Sequence, residues 1–358
     1  MAAFAAAQVR GRVDLAKAEC VPADLWSGFG EAGLFRIGLP EEFGGDGSGY
    51  AAIAAAAETL AHVGGLPGLS MSWALQCQAA RFLILGFGSA AQKRELLPAA
   101  ARGALTLAVA ISEPGAGAHP KRLAATARAE AGTVVLDGRK HWITNGPLAD
   151  LIAVLAVSGE TAGRKRFSLY LVPPDAPGLN LAPMPPLDVL RPSPHAALTL
   201  ANCRVSAAAR LGPEGQAYDA IARPLRDVED ALITGTLAGA MAWQLDRLAR
   251  QGAGAGGLGA LAERLTALRG VSAAAVAALD TAPLERPPES GLAAGFNLLA
   301  RDFEAEAARL FAETGAGDPA FERVTRDVAK ALDIARAARA ARRLRRGRAL
   351  IAEQSEAE

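Results

Sequence analysis

Residues 133–146 read TVVLDGRKHWITNG. Two arms containing Val, Ile and Thr flank Asp137-Gly138, and an Asp-Gly pair between such arms is a strong signal for a β-hairpin. The second arm carries Trp142, one of four tryptophans in 358 residues. An indole at this place either fills the core of a β domain or stands as a flat wall for a flat ligand.

The chain stays extended on the C-terminal side. LIAVLAV (151–157), RFSLYLVPP (166–174) and AALTLANCRV (196–205) read as strands, rich in β-branched or alternating apolar residues. Prolines at 173–174, 183, 185–186, 192 and 194 punctuate the connections. Both flanks of this region are helical. On the N-terminal side, GYAAIAAAAETLAHVGG (49–65) stops at a glycine pair suited to a C-terminal cap. SMSWALQCQAARFLILGFG (70–88) follows, then SAAQKRELLPAAARG (89–103), with Ser89 as N-cap and Pro98 as an interruption. On the C-terminal side a long helix over RDVEDALITGTLAGAMAWQLDRLARQ (226–251) is broken by GAGAGG, and further helical stretches run to the end. The reading is α+β: an all-α N-terminal domain (1–103), a central antiparallel β domain (104–212) and a C-terminal helical bundle (213–358). Segregation of helices from strands excludes a doubly wound α/β fold, and the chain has no GxGxxG and no internal repeat.

Composition narrows the function classes. Basic and acidic residues nearly cancel, 38 against 37, so no global field favours nucleic acid. Cys20, Cys77 and Cys203 are odd in number and far apart, which suggests neither a disulfide framework nor a metal site and fits a reducing cytosol. The N-terminus lacks the basic-then-apolar order of a secretory signal, and no apolar run reaches the roughly 20 residues of a membrane span. A cytoplasmic protein is the expectation.

Five phrases in order carry a resemblance: LPEEFGG (39–45), FGSAAQKRELLP (87–98), AVAISEPGAGA (108–118), LDGRKHWITNGPLAD (136–150) and LANCRVSAAARLGPEGQ (200–216). Together they resemble the acyl-CoA dehydrogenase family, well over residues 30–250 and poorly over the last hundred. The resemblance implies a helical domain, a β domain and a four-helix bundle, in a homodimer or homotetramer, with FAD between the last two. It also implies desaturation of an acyl-CoA: a carboxylate takes the α proton, a hydride leaves to the flavin, and an electron-transfer flavoprotein accepts the electrons. Ile111 would make backbone contacts to the flavin and Ser112 would offer a hydroxyl. Trp142 would lie against the ring system, with Ile143 beside it, and Thr144 would hydrogen-bond near the reacting nitrogen. Trp142 alone reads as core; beside ISEP and ITNG it reads as the flavin wall. Gly115 and Gly117 allow a tight loop for phosphates or a thioester chain. The family's Ser-Asp is Ala118-His119 here, so one substrate contact is missing and His119 reads as a solvated loop residue. His141 alternates to the face away from the flavin.

The family's usual base lies eight residues after an Arg-Asp pair. Arg326-Asp327 place that position at Ala335, which cannot take a proton, and Asp333 is about 200° away around a helix. A minority of the family places the base at the start of the first C-terminal helix. There RDVEDALITGTLAG puts Glu229 on the glutamate, with Gly235 and Gly239 on the small residues after it and Asp227 as a substrate contact. Asp230 stands where the family has Arg. The plain alternative for Asp227, Glu229 and Asp230 is a helix N-terminus favoured by the macrodipole. The family's Arg-x-x-Phe-Gly, which reaches the FAD of the neighbouring subunit, appears as Arg250 with Ala253 for Phe, and no Gln follows nearby. Seven arginines from Arg336 to Arg348 could meet CoA phosphates or a partner; the preferred reading is a solvated helix face beside the acidic tail. Three functions compete: an acyl-CoA dehydrogenase using Glu229, a silent or half-active subunit in a heteromer with a complete dehydrogenase, and a flavin monooxygenase on the same fold.

Overall fold

The computed structural model describes residues 1–185, 187–289 and 291–355. Five helices open the chain: α1 (Ala2–Gln8), α2 (Ala23–Glu31), α3 (Tyr50–Gly64), α4 (Pro67–Gln78) and α5 (Ala90–Ala101). Gly65 takes the left-handed conformation at the end of α3, as its C-terminal cap requires. A π-helical segment, Ala79–Leu85, extends α4. Ser89 caps α5 in a capping box with Gln92. The expected interruption at Pro98 does not occur: Pro98 lies inside α5, which continues to Ala101. One lost backbone hydrogen bond in the last turn is tolerated because Leu97, Ala100 and Ala101 are buried against the first domain.

Eight strands follow: β1 (Leu107–Ala110), β2 (Thr126–Glu130), β3 (Thr133–Thr144), β4 (Leu151–Thr161), β5 (Arg164–Val172), β6 (Leu179–Pro183), β7 (His195–Ser206) and β8 (Arg210–Leu211). They form one sheet in the order β6-β7-β3-β2-β4-β5-β8, with β1 pairing β4 off that path. The sheet is mixed rather than purely antiparallel, because β1 runs parallel to β4.

The expected hairpin at Asp137-Gly138 is also absent. β3 runs straight through it, and the turn lies six residues earlier, at Ala131-Gly132 between β2 and β3. Asp137-Gly138 is a bulge: the register against β7 shifts between Leu136 and Gly138, and the Asp137 carboxylate accepts from Asn202 N at 2.7 Å. Gly138 has φ +140°, and a Cβ there would sit 2.6 Å from Ala125 Cα. The glycine answers a close backbone approach, not a turn.

The C-terminal helices are α6 (Arg223–Arg250), α7 (Ala255–Thr281), α8 (Gly291–Thr314), α9 (Pro319–Asp333) and α10 (Arg336–Ser355). α6 crosses α3 closely. Cβ atoms at Gly235 and Gly239 would meet Ala54 O at 2.4 Å and Glu58 O at 2.1 Å, so both glycines are demanded by packing. α6, α7, α8 and α9 build a second core around Phe296, Phe303 and Phe321. Among the described residues no helix is long and apolar enough to cross a membrane.

Candidate active site

Two strand ends are tied together at the centre of the sheet. The Lys140 ammonium is fully buried and donates to Glu113 Oε1 at 2.8 Å and to Ile111 O at 3.1 Å. The Glu113 carboxylate also accepts from Ala124 N (2.7 Å) and Ala125 N (3.0 Å). Burial opposes its charge, but Lys140 and the two amides outweigh burial and hold its pKa below the usual range. His141 N donates to Ser112 O at 3.0 Å. The segment Ile111-Ser112-Glu113 is thereby stitched alongside Lys140-His141. Sequence reading passed over this pair, although a Glu in ISEP and a Lys two residues before the tryptophan were its only signal.

The ties fix the neighbourhood of Trp142. A second irregularity in β3, between Lys140 and Ile143, puts Trp142 at φ +58° and leaves its side chain 45% exposed, while Ile143 is fully buried. The indole is therefore not core. Its backbone N donates to Met184 Sδ at 3.2 Å, and His195 packs edge-on with ring centres 5.9 Å apart. His195 is also the cross-strand partner of Thr144. Burial lowers the pKa of both His195 and His141, and the buried His141 Nδ1 has no hydrogen-bond partner among the described residues. The Ser112 and Thr144 side chains are half-buried. Asn145, at φ +61°, closes the strand: Nδ2 donates to Ser72 O at 2.9 Å and its N to Pro194 O at 3.0 Å. Ile111, Ser112, Trp142, Ile143 and Thr144 thus form one group. Met184 and His195 also line a cleft of about 140 Å³.

The glycine loop reaches toward α6. Glu113 and Gly117 bridge each other, and a Cβ at Gly115 or Gly117 would meet nothing, so the loop is open to solvent. Tyr218, in the π-helical turn that leads into α6, donates from its hydroxyl to Ala118 O at 3.2 Å. Ala118 and His119 are exposed.

In the acidic cluster on α6, Asp227 and Asp230 are buried and Glu229 is half-buried, and arginines crowd all three. Arg226 pairs with Glu229 at 2.9 Å and Asp230 at 2.5 Å. Arg342 on α10 reaches Asp227 at 2.6 Å, and Arg339 approaches Asp230 at 3.4 Å. The expectation of a wholly solvated arginine face on α10 is thus corrected: Arg339 and Arg342 turn inward because α6 presents two buried carboxylates. Asp227, expected to touch substrate, is engaged by Arg342. Burial raises the pKa of Asp227 against the pull of Arg342. Burial likewise raises Glu229, against Arg226, with Asp230 adding to the rise. About a quarter of the Glu229 side chain stays open to solvent. Ala335 lies between α9 and α10 at φ +57°. Asp333 is exposed and paired with Arg301 at 2.7 Å; α9 ends at this residue, so the helical rotation expected to separate it from Ala335 does not apply. Arg250 is exposed at the far end of α6, 21 residues from Glu229, or about 30 Å along the axis.

Residues 1–104 match the model of the acyl-CoA dehydrogenase N-terminal domain and residues 108–203 that of the middle domain. Acyl-CoA dehydrogenase FadE12 of Mycobacterium tuberculosis is 32% identical over 197 residues, 54% of this chain and 50% of that protein. The chain spans about half the length of the curated relatives it matches. A solved prolyl acyl-carrier-protein oxidase superposes with a TM-score of 0.79 at 25% identity, covering 92% of this chain and 91% of that one. The butyryl-CoA dehydrogenase of Megasphaera elsdenii shares the fold at TM-score 0.79 and 20% identity, with 92% and 91% covered. With both its N-terminal and middle domains matched, the chain belongs to the acyl-CoA dehydrogenase family.

Proposed function

We propose that the protein is a flavin-dependent dehydrogenase of acyl thioesters, with Glu229 as the base. The observation that carries the reading is Trp142: a large indole, nearly half exposed, at a left-handed backbone angle, two residues after the buried Lys140 that ties β3 to Ile111 and Glu113. An exposed indole at such a backbone angle favours a ligand-facing role over core packing. The isoalloxazine of FAD fits the group. Trp142 would face the ring, the Ile111 backbone and Ser112 would meet its pyrimidine edge, and Thr144 would reach toward its central nitrogens. Bound FAD supplies the hydride acceptor. The dinucleotide end fits the family pattern less well, since Ala253 offers no aromatic surface beside Arg250.

Gly117 and Ala118 would flank the thioester, and Asp227 would reach it only on release from Arg342. The raised pKa of Glu229 brings its proton affinity closer to that of an α-proton acceptor, while Arg226 keeps the carboxylate charged and ready to accept. The thioester carrier is CoA or a carrier protein, as in the prolyl acyl-carrier-protein oxidase of like fold. An electron-transfer flavoprotein is the proposed acceptor. Leu292, Leu298 and Leu299 on α8, all 45–49% exposed, support a homodimer or homotetramer.

A second reading, a silent subunit in a heteromer, draws on Ala335 and on the ion pair that occupies Glu229. The experiment is purification of the full chain and anaerobic addition of acyl thioesters. A yellow protein whose colour bleaches supports the dehydrogenase. A colourless protein, or one whose flavin never bleaches and which copurifies with a homologue, supports the silent subunit. Substrate hydroxylation in air after reduction by NADH and a reductase would indicate a monooxygenase.

A further inference from the structure

Arg339 and Arg342 stand three residues apart in the first two turns of α10, on the face that meets α6. We propose that they are positioning residues for Glu229, acting through Asp230 and the shared guanidinium of Arg226. The inference rests on the dehydrogenase reading only for what Glu229 does.

One guanidinium serves two carboxylates. Arg226 Nη1 meets Glu229 Oε2 at 2.9 Å, and Arg226 Nη2 meets Asp230 Oδ1 at 2.5 Å. Asp230 is 5% exposed, and a carboxylate so buried needs compensating charge. With Arg226 as its only cation it would draw both prongs of the fork into the favoured bidentate geometry. Two cations from α10 oppose that pull. Arg339 Nη1 lies 3.4 Å from Asp230 Oδ1, and Arg342 Nη1 lies 3.7 Å from Asp230 Oδ2. They compensate Asp230 and leave one prong of Arg226 to Glu229. Burial raises the proton affinity of Glu229 and Arg226 lowers it, so the aim of Arg226 decides how readily this carboxylate holds its charge.

Arg339 is anchored at its other end. Its Nη2 donates to Leu332 O at 3.2 Å and to Ile334 O, which closes the end of α9. Ala335, left-handed at φ +57°, turns the chain from α9 into α10 and so sets where the two arginines fall. Among the described residues none of α10 belongs to a hydrophobic core, so ion pairs carry its seat on α6. The surrounding charges are accounted for. Arg342 also holds Asp227 at 2.6 Å and lies 3.9 Å from the exposed Glu289. Arg301 and Asp333, which face Arg339, pair with each other at 2.7 Å. The Tyr218 hydroxyl, which faces Arg342, donates to Ala118 O. Among the described residues Asp230 is the one carboxylate within ion-pair distance of Arg339, which makes Arg339 the cleaner probe.

The test is an NMR titration of the Glu229 carboxyl in the full-length protein, with its resonance assigned by its absence from Glu229→Gln. Arg339→Gln keeps a donor for the α9 carbonyls but removes the charge, and should raise the proton affinity of Glu229 at least about threefold. Asp230→Asn should lower it by a similar factor, because Arg226 then turns wholly to Glu229. In the double variant the effect of Arg339→Gln should vanish, and Arg339→Lys should stay near the wild type. Urea unfolding checks that each variant is folded. Arg342→Gln or Asp230→Ser replaces one that is not, with the same expectation. Equal titration of Glu229 in wild type and Arg339→Gln, or an undiminished effect of Arg339→Gln in the Asp230→Asn background, overturns the proposal. The expected titrations, with α-proton exchange unchanged in Glu229→Gln, keep the positioning role and overturn Glu229 as the base. Exchange that depends on Glu229, with its titration unmoved by Arg339→Gln, does the reverse.

Discussion

Replacing Lys140 by Met removes the charge that balances Glu113 while keeping most of the buried stem. Glu113 is 7% exposed and retains its bonds to Ala124 N and Ala125 N, but faces no cation. Breaking a buried pair from one side costs about 3–5 kcal/mol. The two amides already satisfy part of the carboxylate, so the lower end, about 3 kcal/mol, is expected. The assay is urea unfolding of wild type and Lys140→Met at pH 7. The sign with pH is fixed. Glu113 is held low in the folded protein, so its contribution is present above the unfolded carboxylate pKa and is lost as pH falls through the folded value. In the variant Glu113 protonates more readily, so the gap between the two proteins should narrow in acid. The double variant Lys140→Met/Glu113→Gln should recover part of the loss, because no buried charge is left alone. A deficit below about 1 kcal/mol, or one that widens in acid, would refute the account of this pair.

Three other outcomes follow from single sites. Gly239→Ala puts a Cβ 2.1 Å from Glu58 O and forces α6 off α3, so a loss of at least about 2 kcal/mol is expected in thermal or urea unfolding. Burial pushes the Glu304 carboxyl up to about 8, so between the ordinary glutamate value and pH 8 the unfolded chain gives up a proton that the folded chain keeps. Stability should therefore fall across that window, and Glu304→Gln should flatten the profile and be the more stable protein at pH 8. Trp142→Ala should cost only about 1 kcal/mol of stability, since the indole is 45% exposed, yet weaken flavin retention more than tenfold. A large loss of stability with flavin retained would return Trp142 to the core.

Helices and strands were legible in the sequence wherever apolar spacing and caps agreed, as at Ser89 and Gly65. Asp137-Gly138 misled because the same dipeptide serves a turn or a bulge. What separated them was contact with Ala125 and Asn202, distant in sequence. Pro98 misled because a proline's cost depends on whether burial in its own turn offsets it. The site was legible as phrases, ISEP and HWIT, but not as the ion pair that joins them, because Lys140 and Glu113 are 27 residues apart. The inward arginines of α10 were illegible for a similar reason: their partners, Asp227 and Asp230, lie more than a hundred residues earlier.

The central claim is that Glu229 takes the α proton of a bound acyl thioester. Its most direct measure is exchange of that hydrogen with solvent deuterium, followed by mass spectrometry for the wild type and for Glu229→Gln with flavin still bound. The account predicts exchange by the wild type and a rate at least about a hundredfold lower in the variant. Equal exchange by both proteins, or none by the wild type, would contradict it.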